Sequence, residues 1–199
     1  MSARRNRWLE RNLYETGLPL PGVEGVYLRP GQLAVLTDRD AKSRRDFLLE
    51  TAMYALMRSR GVFLLSPAPA AALGERMREL CLPEPAEKKQ ERSLRRLMAE
   101  HFIAFQREKL GLPELRKTIA DFTKFEGRPP GLMLIDAGVL KISAAPALAE
   151  LAARSAAAWV IALNANRNLE KSARLRIHAQ AAAANRAKAG SAAPAIYIS

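Results

Sequence analysis

The residues best suited to chemistry lie between the first strand and the first long helix that the sequence predicts. This segment, residues 37–45, reads TDRDAKSRR and holds four bases, two acids and no glycine. The N–H groups at a helix N-terminus favour anions, so a phosphate would bind in such a segment. A loop that wraps phosphate groups normally needs glycine, because glycine readily adopts positive φ angles. We therefore expect a scaffold typical of nucleotide binding that lacks the usual loop.

The charged side chains of this region have competing interpretations. The four bases of the segment either solvate a surface loop, contact DNA phosphates or contact a partner subunit; they are Arg39, Lys42, Arg44 and Arg45. Asp136 follows an apolar strand predicted at residues 132–135, and it either holds a metal through water or caps the next turn. The cap is the commoner role for a buried aspartate at a strand end.

Composition favours a polyanionic partner. The 199 residues fit one domain with extended ends, since domains typically run to roughly 100–200 residues. Lys and Arg number 32 against 20 Asp and Glu, which gives a net charge of +12. Because basic residues also crowd both ends of the chain, nucleic acid is the leading partner class.

Cysteine and histidine exclude several classes of site. Cys81 is the single cysteine, so an internal disulfide and a multi-cysteine zinc site are excluded, and ordinary packing is its expected role. His101 and His178 are too far apart in sequence, and too unaccompanied, to predict a metal site. The basic N-terminus lacks the apolar segment of a signal peptide, and no apolar run is long enough to span a membrane. We expect a cytoplasmic protein.

Strands and helices alternate along the chain, which predicts an α/β sandwich of three layers with a mostly parallel sheet. Residues 1–29 are expected to form a basic arm and linker, and residues 30–199 the core. The predicted strands lie at residues 31–37, 62–65, 132–135, 158–163 and 195–198. The predicted helices lie at residues 43–60, from about 70 to 80, and at 88–110, 114–125, 145–157 and 175–188.

Three segments together resemble the motor domain of the DnaB-type hexameric replicative DNA helicases, which have a RecA-like ATPase fold. PGQLAVLTDRDAKSRRDFLLETA with GVFLLSPAPAAALGERM is similar to the family's opening strand, P-loop, helix and second strand. GLMLIDAG resembles a Walker B strand that ends in aspartate. ALAELAARSAAAWVIALNANRNLEK is similar to the helix, strand and sensor loop. The order and spacing cover residues 30–199, so the resemblance implies a RecA-like core.

The resemblance implies that the chemistry of the site is lost. The Gly-Lys-Thr of the P-loop falls on Ser43, Arg44 and Arg45, and neither arginine can hold Mg²⁺ as threonine does. The family's catalytic glutamate falls on Ala68, which cannot orient an attacking water. Only the Walker B aspartate is kept, as Asp136.

Two further elements of the family's site are altered. The glutamine of the sensor loop is replaced at Asn164, and the loop is one residue short of the pattern. The sequence stops at Ser199, so we expect the arginine finger to be missing. The resemblance therefore implies a pseudo-ATPase with no catalytic residue, no resident metal and neither ATP nor Mg²⁺ as a cofactor.

The main hypothesis is a non-hydrolysing helicase-like accessory in DNA replication or recombination, with a mobile element as one source of such a protein. Alternatives are a divergent ATPase that completes its site with a partner subunit, and an assembly factor that binds protein without contacting DNA. The expected partners are DNA, a replicative helicase or other RecA-like subunit, and a second copy of this chain; no membrane partner is expected. The related motors carry DNA-facing loops after the sensor strand, where this chain has six bases: Arg167, Lys171, Arg174, Arg176, Arg186 and Lys188.

Overall fold

The computed structural model describes residues 17–38, 40–58, 60–108, 111–127, 130–136, 145–164, 180–181 and 195–198. The strands in these ranges are β1 (Leu18–Leu20), β2 (Val23–Leu28), β3 (Leu33–Asp38), β4 (Val62–Ser66), β5 (Phe102–Gln106), β6 (Leu132–Asp136), β7 (Ala158–Asn164), β8 (Gln180–Ala181) and β9 (Ala195–Ile198). The helices are α1 (Ala41–Leu56), α2 (Ala70–Cys81), α3 (Lys88–His101), α4 (Leu112–Glu126) and α5 (Ala145–Ala153).

Five parallel strands form the main part of the larger sheet, whose order is β5, β4, β6, β7, β3, β9, β8. The strands β9 and β8 add to it in antiparallel orientation, and β1 and β2 form a separate antiparallel pair. Every residue of β4 and β6 is buried. Such continuous burial is expected of parallel strands that are covered on both faces, so the predicted α/β architecture with flanking helices is confirmed at this level.

The helices cover both faces of the sheet. Alternate residues of the strands pack with α1, α2 and Met98 of α3 in one apolar cluster. The other residues pack with α4 and α5 in a second cluster around the fully buried Trp159. The chain crosses from β3 to β4 and β5, then turns back to β6 and β7. Right-handed crossovers in opposite directions place the two sets of helices on opposite faces.

The point at which the direction reverses lies between β4 and β6, which are neighbours in the sheet. Beyond the carboxyl ends of two such strands the connecting segments diverge and leave a crevice, where open α/β sheets bind ligands. Ser66 and Asp136 are the last residues of these two strands. Any site of the kind the sequence predicts must therefore include them.

Local signals set the start of β3. Pro30 and Gly31 are the central residues of a turn in which the N–H of Gln32 donates to the carbonyl of Arg29 at 3.1 Å. Gly31 has φ +82°, as the third residue of a type II turn requires. The N–H of Gly31 then donates to the carbonyl of Ala157 at 2.9 Å, which aligns β3 with β7.

Three sequence predictions are wrong in detail. The helix predicted at residues 88–110 ends at His101, and Phe102–Gln106 is a strand, because pairing with β4 overrides the helical spacing of the apolar residues. The helix predicted at residues 175–188 is contradicted at Gln180–Ala181, which pair with β9. The segment interpreted as a linker contains β1 and β2, which join the first apolar cluster through Leu18, Leu20 and Leu28.

Candidate functional site

The carboxyl edge of the parallel sheet gathers most of the positions that the sequence singled out. Ser43, Arg44 and Arg45 lie in the first turn of α1, which follows β3 after a short link. Ala68 comes two residues after β4, Asp136 ends β6 and Asn164 ends β7. The side chain of Asn164 lies outside the described residues. Parallel strands bring these chain segments to one edge of the sheet.

Asp40 caps the N-terminus of α1. Its carboxylate accepts hydrogen bonds from the backbone N–H of Ser43 at 2.9 Å and of Lys42 at 3.2 Å. These two hydrogen bonds, with that from Ser43 the stronger influence, lower the pKa of Asp40 below its ordinary value. Two of the N–H groups that a bound phosphate would use are thus already bound by a carboxylate of the chain itself.

Asp136 has polar contacts of its own at the end of β6. Its residue is 3% exposed, and the hydroxyl of Ser66 donates to its Oδ2 at 3.1 Å. The Nε of Arg45 lies 3.9 Å from the same oxygen. The Ser66 hydroxyl also accepts the N–H of Ala68 at 3.2 Å. These contacts identify Asp136 as the centre of a small network that joins α1, β4 and β6.

The two arginines of the first turn differ in environment. Arg44 is only 7% exposed and lies within a helix, so the interpretation of this residue as part of a solvated loop is wrong. The side chain of Arg45 is 36% exposed and reaches towards Asp136. Lys42 is exposed, and Arg39 lies outside the described residues. Helix formation from Ala41 onward accounts for the difference, because neighbouring side chains of a helix project about 100° apart.

A second ion pair, between Arg76 and Asp46, lies at the same edge of the sheet. Arg76 of α2 donates to both carboxylate oxygens of Asp46, at 2.8 and 2.6 Å, and to Glu79 at 2.7 Å. These hydrogen bonds, first that with Asp46, raise the pKa of the Arg76 guanidinium above its ordinary value. The bidentate pair ties the start of α1 to α2 in a fixed geometry.

A shallow cavity of about 200 Å³ lies between these groups, lined by Lys42, Arg45, Asp46, Ala68, Ala72 and Arg76. Pockets that bind small molecules usually measure about 300–1,000 Å³, so this cavity is small for a nucleotide. The cations at the cavity are balanced by the carboxylates of Asp40, Asp46, Glu79 and Asp136 around it. Among the described residues, this cavity is therefore smaller than expected for a triphosphate and has no excess of positive charge.

Sequence reasoning missed Ser66 and the Arg76–Asp46 pair. Ser66 ends an apolar strand just before a proline, which marks it as a carboxyl-end residue, but only the strand order shows that β6 is its neighbour. The partner of Arg76 is 30 positions away in sequence. Contacts at such separation depend on how α1 and α2 pack, which the pattern of residues in either helix does not specify.

The other positions that the sequence singled out contribute no side chain to this site among the described residues. The six bases predicted to contact DNA, from Arg167 to Lys188, lie outside those residues. His101 lies at the end of α3, with its Nε2 3.9 Å from Oε2 of Glu100.

The Cys81 thiol and the described acidic side chains give no sign of a metal site. Burial first, and then the charge of Glu50, raises the pKa of the Cys81 thiol to about 11. No group of three or more His, Cys, Asp and Glu side chains in the described part of the chain could hold a metal ion.

The remaining findings concern membrane-spanning helices and the similarity of this chain to known proteins. None of the helices in the described ranges is long and apolar enough to cross a bilayer. No protein-family model matches the sequence, and no curated protein matches it significantly.

Proposed function

We propose that this chain is a non-hydrolysing relative of the DnaB-type helicase motors with a RecA-like core. In this proposal it acts as a DNA-binding or helicase-associating accessory in replication or recombination. The observation that carries the proposal is the contact of Arg45 with Asp136. The resemblance aligns these two residues with the threonine and the aspartate that hold Mg²⁺ in the working motors.

A guanidinium at this position supplies the positive charge of a metal ion but cannot coordinate ligands as a metal ion does. A bound cation is usually the largest charge in a phosphate site, and it offsets the buried carboxylate that faces it. Here the Nε of Arg45, 3.9 Å from Asp136 Oδ2, supplies that positive charge from within the chain. A guanidinium donates hydrogen bonds but cannot coordinate oxygen ligands as Mg²⁺ does, so Arg45 does not supply the metal's part in phosphoryl transfer.

The cap of α1 supports the same conclusion independently. In a phosphate site the first N–H groups of the helix are left for the ligand. In this chain the Asp40 carboxylate binds the N–H groups of Lys42 and Ser43. A triphosphate would have to displace this carboxylate and would meet its negative charge, as well as that of Asp46. These groups lie beside the point between β4 and β6 at which the direction of the chain reverses. This position supports an origin in a nucleotide-binding scaffold.

The hydrolysis part of the proposal is tested by steady-state turnover of Mg²⁺-ATP, with and without single-stranded DNA. We expect no release of phosphate above the protein-free rate in either case. The matched control is Asp136→Asn, which keeps an acceptor for the Ser66 hydroxyl and should behave as the wild type. DNA-stimulated hydrolysis that Asp136→Asn abolishes would contradict the proposal and favour an ATPase completed by another subunit.

The DNA part is tested by fluorescence anisotropy with a labelled oligonucleotide at low salt. The net charge of +12 and the six bases from Arg167 to Lys188 motivate it. We expect binding that is indifferent to sequence and weakens steeply with salt, and that is reduced when the six bases become glutamine. Undetectable binding at low salt would remove DNA from the proposal and leave the assembly-factor alternative.

A further inference from the structure

The exposed side of α3 carries a strip of cations that the predicted DNA contacts do not include. Five of its fourteen residues are exposed bases, here called the α3 basic strip: Lys88, Lys89, Arg92, Arg95 and Arg96. At about 100° per residue these side chains project within an arc of about 120°. At 1.5 Å per residue they extend over about 12 Å of the helix axis. No acidic residue of α3 projects within this arc.

Most of these charges are unneutralised. Arg96 pairs with Glu100 at 2.8 Å, at the margin of the strip. Among the described residues, no carboxylate forms an ion pair with the other four cations. The acid on the opposite margin, Glu91, pairs with Arg78 of α2 instead. The strip is therefore a surface of excess positive charge and not one half of an internal salt-bridge network.

Three of these charges, those of Lys88, Lys89 and Arg92, are placed unfavourably for the stability of the helix. Lys88 and Lys89 occupy the first two positions of α3, where the helix dipole disfavours cations. Arg92 is four residues from both Lys88 and Arg96, and like charges at this spacing repel each other on a helix. A negatively charged partner would offset the repulsion among these cations. Binding of such a partner explains why they accumulate on one surface.

We infer that the α3 basic strip binds the phosphate backbone of nucleic acid. A duplex carries one negative charge per about 1.7 Å of its axis when both strands are counted, so the 12 Å of duplex beside the strip carries about seven phosphates. A membrane surface does not fit as well, because the apolar side of α3 is already used: Leu94 is 5% exposed and Met98 packs against the first apolar cluster. A helix without a free apolar side cannot insert into a bilayer interface.

This inference rests on the proposed DNA binding and adds the element that provides it. The experiment measures the affinity of the full chain for a labelled duplex by anisotropy, between about 50 and 200 mM salt. The test variant is Lys88→Gln/Arg92→Gln/Arg95→Gln. The matched control removes the same charge from the opposite face of the sheet, as Arg116→Gln/Lys117→Gln/Lys124→Gln in α4. A second control, Arg92→Lys/Arg95→Lys, keeps the charge, and a thermal melt of each variant verifies folding.

The strip variant should lower the slope of log affinity against log salt by about 2.7, since each lost phosphate contact removes about 0.9. The α4 control should lower it by less than about 1, and the lysine variant should leave it near the wild-type value. Equal losses in the strip variant and the α4 control would overturn the inference but leave the proposed DNA binding intact. Absence of wild-type binding would overturn both. A strip variant that loses binding to polyglutamate but not to the duplex would assign the strip to an acidic protein and overturn the inference.

Discussion

At the scale of single residues, Arg45 and Asp136 form an unequal pair. Asp136 is buried, whereas the Arg45 side chain is 36% exposed and can be solvated when its partner is lost. The two partners therefore do not contribute equally. Removing the arginine leaves a buried carboxylate that keeps the Ser66 hydroxyl but loses a nearby positive charge. Neutralising the aspartate leaves a cation that water can reach.

This asymmetry predicts the order of two variants. Arg45→Ala should lower the free energy of unfolding by about 1–3 kcal/mol, because it removes a positive charge that lies 3.9 Å from a buried carboxylate. Asp136→Asn should cost less than about 1 kcal/mol, since the amide oxygen can still accept from Ser66. Urea denaturation of the two single variants and of the double variant measures both effects and their coupling. Equal costs with zero coupling would contradict a direct interaction.

Cys81 should be an unreactive thiol. Burial and the carboxylate of Glu50 raise its pKa from 9.0 to about 11, which makes the thiolate about 100-fold scarcer at neutral pH. Alkylation should therefore be about 100-fold slower than that of an ordinary thiol at pH 8, with a rate that still rises above pH 10. Glu50→Gln should accelerate the reaction, because it removes the smaller of the two causes. A rate that levels off near pH 9 would contradict this assignment.

At the scale of elements, the start of α1 depends on one carboxylate. Hydrogen bonds from Ser43 and Lys42 lower the pKa of Asp40 in the folded protein. Because the folded pKa lies below the unfolded one, the carboxylate stabilises the fold above about pH 4 and this contribution is lost as the pH falls further. The wild type should melt a few degrees above Asp40→Asn at pH 7, and the difference should vanish towards about pH 2. Melting curves across this range test it; a difference that persists in acid would contradict a role for the charge.

The turn before β3 is a second point at which one residue sets an element. Gly31 has φ +82°, and an added Cβ would meet its closest neighbour, the carbonyl oxygen of Ala153, at an ordinary 3.6 Å. The cost of Gly31→Ala should therefore be conformational, about 1–2 kcal/mol of unfolding free energy. Gly61→Ala is the control, because Gly61 has neither a positive φ nor any atom within 4 Å of the added carbon. Chemical denaturation that finds equal effects would contradict the turn assignment.

At the scale of the whole molecule, the sequence predicts the alternation of strands and helices better than it predicts their contacts. Apolar runs such as residues 132–135 are strands because both faces of a parallel sheet are covered, and that signal is local. Phe102 and Phe105 fit a helical stripe as well as a strand. The strand is selected by the pairing of Phe102 with Val62 and by the packing of the Phe105 ring on Phe63. Both partners are distant in sequence.

The same limit applies to the candidate site. The glycine-free loop and Ala68 are visible in the sequence, and they suffice to predict that the chemistry of a phosphate site is altered. The contacts that the charged side chains of the site make with distant residues are not visible in the sequence. That Asp40 turns back onto its own helix could be expected from an aspartate before a helical run. That Arg45 meets Asp136 depends on the crossing of α1 over β6, which is a property of the assembled sheet.

We propose that the chain's own side chains occupy the position that a nucleotide and its metal hold in the related motors. The most direct measurement is a calorimetric titration of the full chain with Mg²⁺-ATP up to about 1 mM. We expect no saturable heat, either for the wild type or for Asp136→Asn. A micromolar dissociation constant for the wild type that is lost in Asp136→Asn would show that Asp136 still binds a nucleotide through its metal, and it would contradict this proposal.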